Sequence, residues 1–376
     1  MSERVYLDHA AGAPLLDVAR GAMDEVWRLP GNPSSLHTAG RTARRLLEES
    51  RESLAECLGA HATEIVFTSG GTEANNLILL GAAGARPERP RVAIGGAEHP
   101  SVAGVVDHLP GRVDVLRLDA TGRLRDGQLA VLTERTALVS VLLVNNETGV
   151  VQPLDEVLSA GRAVGAWTHT DAVQAFGHLP LDFGALELDA LTVTAHKVGG
   201  PVGIGALVVR RELTLAAPGF GGGQERRVRS GTAMVALAAG FAAAARSAVD
   251  DLSQEAARLE SLRTRLVSGI TSQVPDVMVN GSAPISTAIL NVTFRGCRAD
   301  DLLLILDAAG IDCSTGSACT AGVHEPREVL LAMGRSQPDA SASLRFSLGR
   351  GSSAAAIDRV LGVLPEAVVR ARSAAL

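Results

Sequence analysis

Between about residue 40 and residue 215, short apolar runs alternate with longer amphipathic ones, and no other feature constrains the fold so tightly. "EIVFTS", "RVAIGG", "ALVSVLLV", "WTHTDA", "ALTVTA" and "GALVVR" read as strands, and "RTARRLLEESRESLAECLGA", "TEANNLILLGAA" and "LDEVLSAGRAVG" read as helices. Strands without a polar face, separated by helices, assemble as a largely parallel buried sheet in an α/β layer structure. The alanine-rich stretch 233–249 reads as helix rather than disorder. From about 251 the pattern changes. "DLSQEAARLESLRTRLVSGI" is a long amphipathic helix, followed by strands "DVMVNG" and "AILNVTF", helix "ADDLLLILDAAG" and strand "SLRFSLG", which predicts a second, smaller α+β domain. The chain has 376 residues, and single cores stop growing at roughly 250–300. Two domains are therefore expected, a large one over 13–250 and a small one formed by 1–12 with 251–376.

Composition narrows the function. A net charge of −6 supplies no field that would recruit nucleic acid or an anionic membrane. Aromatic residues make up only 3%, so a flat ligand would have to stack on something else, such as histidine. The opening "MSERVYLDHAAGAP" has charges where a secretory signal needs an apolar run, and no segment offers the about 18 uninterrupted apolar residues of a membrane span. A cytoplasmic protein is expected. The four cysteines, Cys57, Cys297, Cys313 and Cys319, show no C-x-x-C pairing, so neither a metal site nor a disulfide framework is indicated.

Four stretches carry chemistry. "STGSACTAG", 314–322, sets Cys319 among the smallest side chains, which suits a loop rather than a core, although an inert linker cysteine would look the same. "FTSGGTEANN", 67–76, runs from strand through Gly70 and Gly71 into a helix, offering backbone N–H groups and the Thr72 hydroxyl to a phosphate; Thr72 would serve equally as a helix cap. It has neither G-x-G-x-x-G nor a P-loop lysine. "THTDAVQAFG", 168–177, ends a strand with Asp171 and places Gln174 three residues on. "TVTAHKVGGPVGIGALVV", 192–209, closes an apolar strand with His196 and Lys197, and a lysine in such a place is either snorkelling or covalently used. A phosphate cup, an acid for a pyridinium nitrogen and an imine-forming lysine are the three fittings that pyridoxal 5′-phosphate (PLP) requires.

With these motifs in place, the sequence resembles the cysteine desulfurases, within the aminotransferase-like class of PLP enzymes (fold type I). Further matches are "YLDHAAGAP", "GNPSSLHTAGR", "EHPSV", "VNNETGVVQP", "GGGQERRVRSGT" and "SLRFSLGR", so the likeness runs from about residue 6 to 350. The resemblance implies that Lys197 holds PLP covalently, that Asp171 pairs with the pyridine nitrogen and that Gln174 bonds the ring's phenolic oxygen. His99 would stack on the ring and exchange protons with substrate. Gly71, Thr72, Thr194 and His196 would hold the phosphate, with Thr232 reaching it from the partner subunit of a homodimer. Asn146 and Arg345 would grip the substrate carboxylate, Arg345 through a forked pair, although an arginine in a structural ion pair would show the same spacing. The implied reaction converts L-cysteine to L-alanine, leaves a persulfide on Cys319 and passes that sulfur to an acceptor protein. A loop of small residues would let Cys319 move between cofactor and acceptor. Cys313, Cys57 and Cys297 read as packing, with a relay role the sharper alternative for Cys313.

The chain departs from the family's pattern in having His9 where asparagine is usual and Gly12 where threonine is usual. After "SLGR" only one helix-like stretch remains, so the tail by which housekeeping relatives dock an iron–sulfur scaffold is expected to be absent. Iron–sulfur assembly, tRNA thiolation, DNA phosphorothioation and biosynthetic sulfur supply all stay open. Two other readings stand beside this one: a PLP β-lyase or selenocysteine lyase, which would not need Cys319, and a non-catalytic regulatory partner, which would need neither Lys197 nor Cys319.

Overall fold

The strands predicted from apolar runs pair into one sheet in the computed structural model, which describes residues 4–216, 218–316 and 328–374. β1 (Val5–Tyr6) opens the chain and lies elsewhere. The large sheet comprises β2 (Ile65–Thr68), β3 (Arg91–Gly95), β4 (Arg112–Leu116), β5 (Thr136–Ser140), β6 (Trp167–Asp171), β7 (Ala190–Thr194) and β8 (Gly205–Val209). Their order is β2-β8-β7-β6-β5-β3-β4, with β4, β3, β5, β6 and β7 mutually parallel and β8 antiparallel to both its neighbours. β5, β7 and β8 are buried at every residue, as a sheet covered on both faces requires.

β4 is not marked by the apolar pattern of the sequence. It alternates exposed and buried positions and carries Arg112 and Asp114, the polar dress of an edge strand, so it lacks the continuous apolar run that marks its neighbours. The run 137–144 predicted as one strand ends as β5 at Ser140, yet Val141 and Leu143 still donate to the carbonyls of His169 and Asp171, at 3.1 and 2.9 Å. The strand order reverses between β3 and β5. Crevices at the carboxyl ends of strands beside such a reversal are where open α/β sheets bind ligands.

The later part of the chain builds a three-stranded antiparallel sheet from β9 (Val277–Asn280), β10 (Ile289–Phe294) and, beyond β11 (Ile311–Asp312), β12 (Ser343–Ser347), in the order β12-β10-β9. Phe294 and Phe346, both fully buried, meet edge-on between its strands with centroids 6.5 Å apart. β1 pairs in parallel with β11, and Asp8 bridges to Ser347, so the first residues of the chain lie with its last third.

One buried ion pair ties the second helix to a strained turn. Arg51, on the helix Thr38–Leu58, donates from both Nη atoms to Glu225 at 2.7 Å, and Glu225 also accepts from Phe67 N at 2.8 Å. Glu225, Arg226 and Arg227 have φ of 42°, 58° and 62°, left-handed backbone that costs non-glycine residues of the order of 1 kcal/mol or more each. The side chains of Arg51 and Glu225 are only 9% and 4% exposed, so removing Glu225 leaves the buried guanidinium with the Ile65 carbonyl and the half-exposed Glu48, 3.1 Å from Nε. Glu225→Ala is expected to lower unfolding free energy by about 3–5 kcal/mol in urea titrations. An Arg51→Met/Glu225→Leu double variant is expected to recover much of that loss.

Candidate active site

The carboxyl ends of β3, β6 and β7 bring together residues that lie far apart in sequence. Asp171, the last residue of β6, is 6% exposed. Its Oδ2 accepts from Asn75 Nδ2 at 2.7 Å and its Oδ1 from Val173 N at 2.9 Å. Asn75 Nδ2 also donates to Ser101 Oγ at 2.8 Å, and Ser101 Oγ lies 2.8 Å from His99 Nδ1. Ser101 N–H donates to the same Nδ1 at 3.1 Å, so that nitrogen is the acceptor and the ring's proton resides on Nε2. Burial pushes the His99 imidazolium below the ordinary histidine range; Asp171 opposes this and Lys197 adds to it. His99 is therefore a neutral ring at pH 7, fixed at one end and free to exchange a proton at the other.

At the end of β7, Thr194 Oγ1 lies 3.1 Å from His196 Nδ1 and 3.2 Å from Ile204 O. Burial, helped by Lys197, drives His196 down to about 4, so it too is neutral. The turn at Gly70 and Gly71 closes on this group. A Cβ on Gly205 would sit 2.8 Å from the Gly70 backbone, and one on Gly71 would sit 3.0 Å from Val173. Gly71 starts the helix Gly71–Ala85, whose first N–H groups lack intrahelical acceptors and form a donor set for an anion.

Lys197 Nζ donates to Ala10 O at 2.5 Å and Ala11 O at 2.8 Å, and Gln174 Nε2 donates to Ala10 O at 2.9 Å. The N-terminal segment thus crosses the mouth of the large sheet. Arg345, on β12, is 2% exposed and donates from Nη2 to Asp8 Oδ1 at 2.7 Å and from Nη1 to Asn146 O at 2.9 Å. Asn145 shapes the turn that presents Asn146, its Oδ1 accepting from Glu147 N, Thr148 N and Thr148 Oγ1.

Of the residues expected from sequence, His99, Asp171, Gln174, Thr194, His196, Lys197 and Gly71 converge here, and Asn146 meets Arg345. Thr72 is exposed on the first turn of its helix. Thr232 is also exposed, and does not join the cluster within its own chain. Cys319 lies outside the described residues. The stretch before it is anchored through Ser314, which exchanges backbone hydrogen bonds with Arg345 at 3.0 and 2.7 Å. Cys313 is buried, and burial with Asp8 and Asp312 nearby pushes its thiol up to about 12, which leaves no thiolate at neutral pH. Cys57 and Cys297 are buried as well. Nothing local in the sequence marks Asn75, Ser101, Asn145 or Asp8: each lies within a chemistry-bearing motif, but it holds a neighbour, and spacing does not show that.

The aminotransferase class-V family model matches residues 5–360. An IscS-like cysteine desulfurase of Mycobacterium tuberculosis is 48% identical over 99% of this chain and 98% of its own length. Among solved structures, a NifS-like protein superposes with a TM-score of 0.91 at 32% identity, covering 98% of this chain and all of that one. SspA in complex with cysteine superposes with a TM-score of 0.80 at 31% identity, covering 91% and 98%. A parallel sheet with this site at its carboxyl edge is the architecture of a PLP-dependent transferase of fold type I. The chain belongs to the aminotransferase class-V family and, within it, to the cysteine desulfurases, a PLP-dependent group of enzymes.

The residues present fit that cofactor. Asp171 is buried with two neutral donors and no Lys or Arg partner among the described residues, a setting suited to a cationic ring nitrogen. The glycine cradle leaves a Cβ-sized space between the Gly70 turn and Thr194, and the donors there suit a phosphate.

Beneath Asp171 on the same face of β6, His169 is fully buried between Ser140 Oγ at 2.8 Å and Thr192 Oγ1 at 3.0 Å, and burial lowers it from 6.5 to about 3. Below 6.5 the unfolded chain takes a proton that the folded chain refuses until about 3, so this contribution to stability is complete above 6.5 and lost as pH falls. His169→Asn is expected to flatten the fall of the urea midpoint between those two pH values; an unchanged slope would contradict the assignment.

Proposed function

We propose that this enzyme takes L-cysteine to L-alanine with PLP on Lys197, leaving the sulfur as a persulfide on Cys319 for delivery to an acceptor protein. The observation that carries the reading is the convergence of Asp171, His99 and Lys197 at one sheet edge, with Arg345 reached through the same N-terminal segment. When bound, the cofactor supplies an electron sink that absorbs the pair left at the substrate α-carbon.

The protein's own residues do the rest. Asp171, oriented by Asn75, holds positive charge on the ring nitrogen, and Gln174 takes the ring's phenolic oxygen. Gly71, Thr72, Thr194 and His196 take the phosphate, together with Thr232 of the second copy in a homodimer. Arg345 and Asn146 fix the substrate carboxylate. The Lys197 amine removes the α-proton, and His99, neutral and fixed through Nδ1, exchanges protons from Nε2 and helps deprotonate the attacking thiol. The Cys319 thiolate attacks the substrate Sγ. The Cβ–Sγ bond breaks, an S–S bond forms on Cys319, and the remaining three-carbon fragment takes up protons to leave as alanine. In the domain division that suits this chemistry, 13–250 carries the cofactor and 1–12 with 251–376 carries Arg345 and Cys319. A cytoplasmic setting, where thiols stay reduced, suits a persulfide carrier.

The test is an absorbance spectrum of the purified protein with L-cysteine, with alanine and sulfide measured with and without a thiol reductant. The wild type is expected to show a near-visible band that shifts with cysteine, and to release sulfide under reductant. Lys197→Ala is expected to lose both. Cys319→Ala is expected to keep the spectral shift and lose sulfide release to background. Full turnover by Cys319→Ala would instead mark a β-lyase.

A further inference from the structure

Among the described residues, the guanidinium of Arg345 is held at both ends and left without a partner in the middle: Nη2 donates to Asp8 Oδ1, Nη1 donates to Asn146 O, and Nε is buried with no hydrogen-bond acceptor. An unpaired, fully desolvated N–H on a cation is costly, so the position is one where a further acceptor is strongly favoured. The other partner, Asp8, is 22% exposed at its side chain, much less screened than a surface ion pair.

Asp8 is itself locked in place. It bridges to Ser347, two residues beyond Arg345 on the same strand. The Tyr6 hydroxyl donates to Asp8 O at 3.0 Å and to Gly12 O at 2.7 Å, stapling the turn that follows. That turn presents the Ala10 and Ala11 carbonyls to Lys197 Nζ. With its backbone held there, the Asp8 carboxylate has two effects on its guanidinium partner. It sets the plane in which the remaining N–H groups lie, which lowers the ordering cost of forked capture. It also places a negative charge against the cation, which repels a second carboxylate arriving at the same group.

We propose that Asp8 is a positioning residue that sets how tightly Arg345 takes a carboxylate: its oxygen orients the guanidinium and its charge limits the affinity, so that a product bearing the same carboxylate as the substrate can leave. The inference rests on Arg345 being the carboxylate grip. Asp8→Asn keeps an oxygen acceptor and removes the charge, whereas Asp8→Ala removes both, so orientation and charge separate.

The experiment measures KM and kcat for L-cysteine on purified holoenzyme, and the calorimetric Kd of 3-mercaptopropionate, which has the carboxylate and thiol but no amine to engage the cofactor. Asp8→Asn is expected to bind 3-mercaptopropionate several-fold more tightly and to lower KM. Asp8→Ala is expected to weaken both by about tenfold, the scale of a hydrogen bond to a charged group. Failure of Asp8→Asn to tighten binding, or wild-type binding by Asp8→Ala, overturns the proposal; should Asp8→Ala not fold, the near-isosteric Asp8→Asn still decides it. Arg345→Lys separates the two levels. If it leaves the Kd unchanged, the carboxylate assignment of Arg345 fails and the role of Asp8 with it. If it weakens binding while both Asp8 variants match the wild type, only the role of Asp8 fails.

Discussion

A carboxylate buried at the end of an apolar parallel sheet is the constraint on which this site depends. Moving Asp171 out of water is costly, and among the described residues no Lys or Arg pairs with it directly to offset that cost. What holds it is a chain of neutral groups: Asn75 to Asp171, Asn75 to Ser101, Ser101 to His99. The same hydrogen bonds that keep the carboxylate in place fix the tautomer and direction of the imidazole. Its members come from the first helix after β2, the turn after β3 and the end of β6, and only parallel strands bring those three ends to one side.

The second half of the site depends on the chain's beginning rather than on the sheet. Residues 6–12 are not strand for most of their length, yet they supply two carbonyls to Lys197, one of them shared with Gln174, and a carboxylate to Arg345. This short segment spans the large sheet and the β12-β10-β9 sheet, so movement of one relative to the other must alter the surroundings of Lys197 and Arg345 together.

Much of this was legible from sequence because the buried strands read as strands and the chemistry sits where they end. Lys197 and His99 follow β7 and β3 within a few residues, and Asp171 is itself the last residue of β6, whose Thr168, His169 and Thr170 make it the least apolar of the three. β4 was missed for the opposite reason, since Arg112 and Asp114 give it the polar alternation of an edge. The cysteine desulfurase class was read from ordered motifs, and the relatives of this chain bear it out. Asp8, Asn75 and Ser101 stayed hidden because each is defined by a partner distant in sequence; Asn75 and Asp171 are 96 residues apart. Local patterns report burial and backbone conformation, and they are silent on which polar group waits across a cleft.

The pairing of β1 with β11, and of Asp8 with Arg345 across 337 positions, sets the order in which the molecule can be completed on the ribosome. The large sheet, closed by β8 at Val209, has all of its strands long before Arg345 is made. At elongation rates of roughly 5–20 residues per second, the first dozen residues wait about half a minute for their partners. Until then the nascent chain carries the lysine, the aspartate and the imidazole without the arginine.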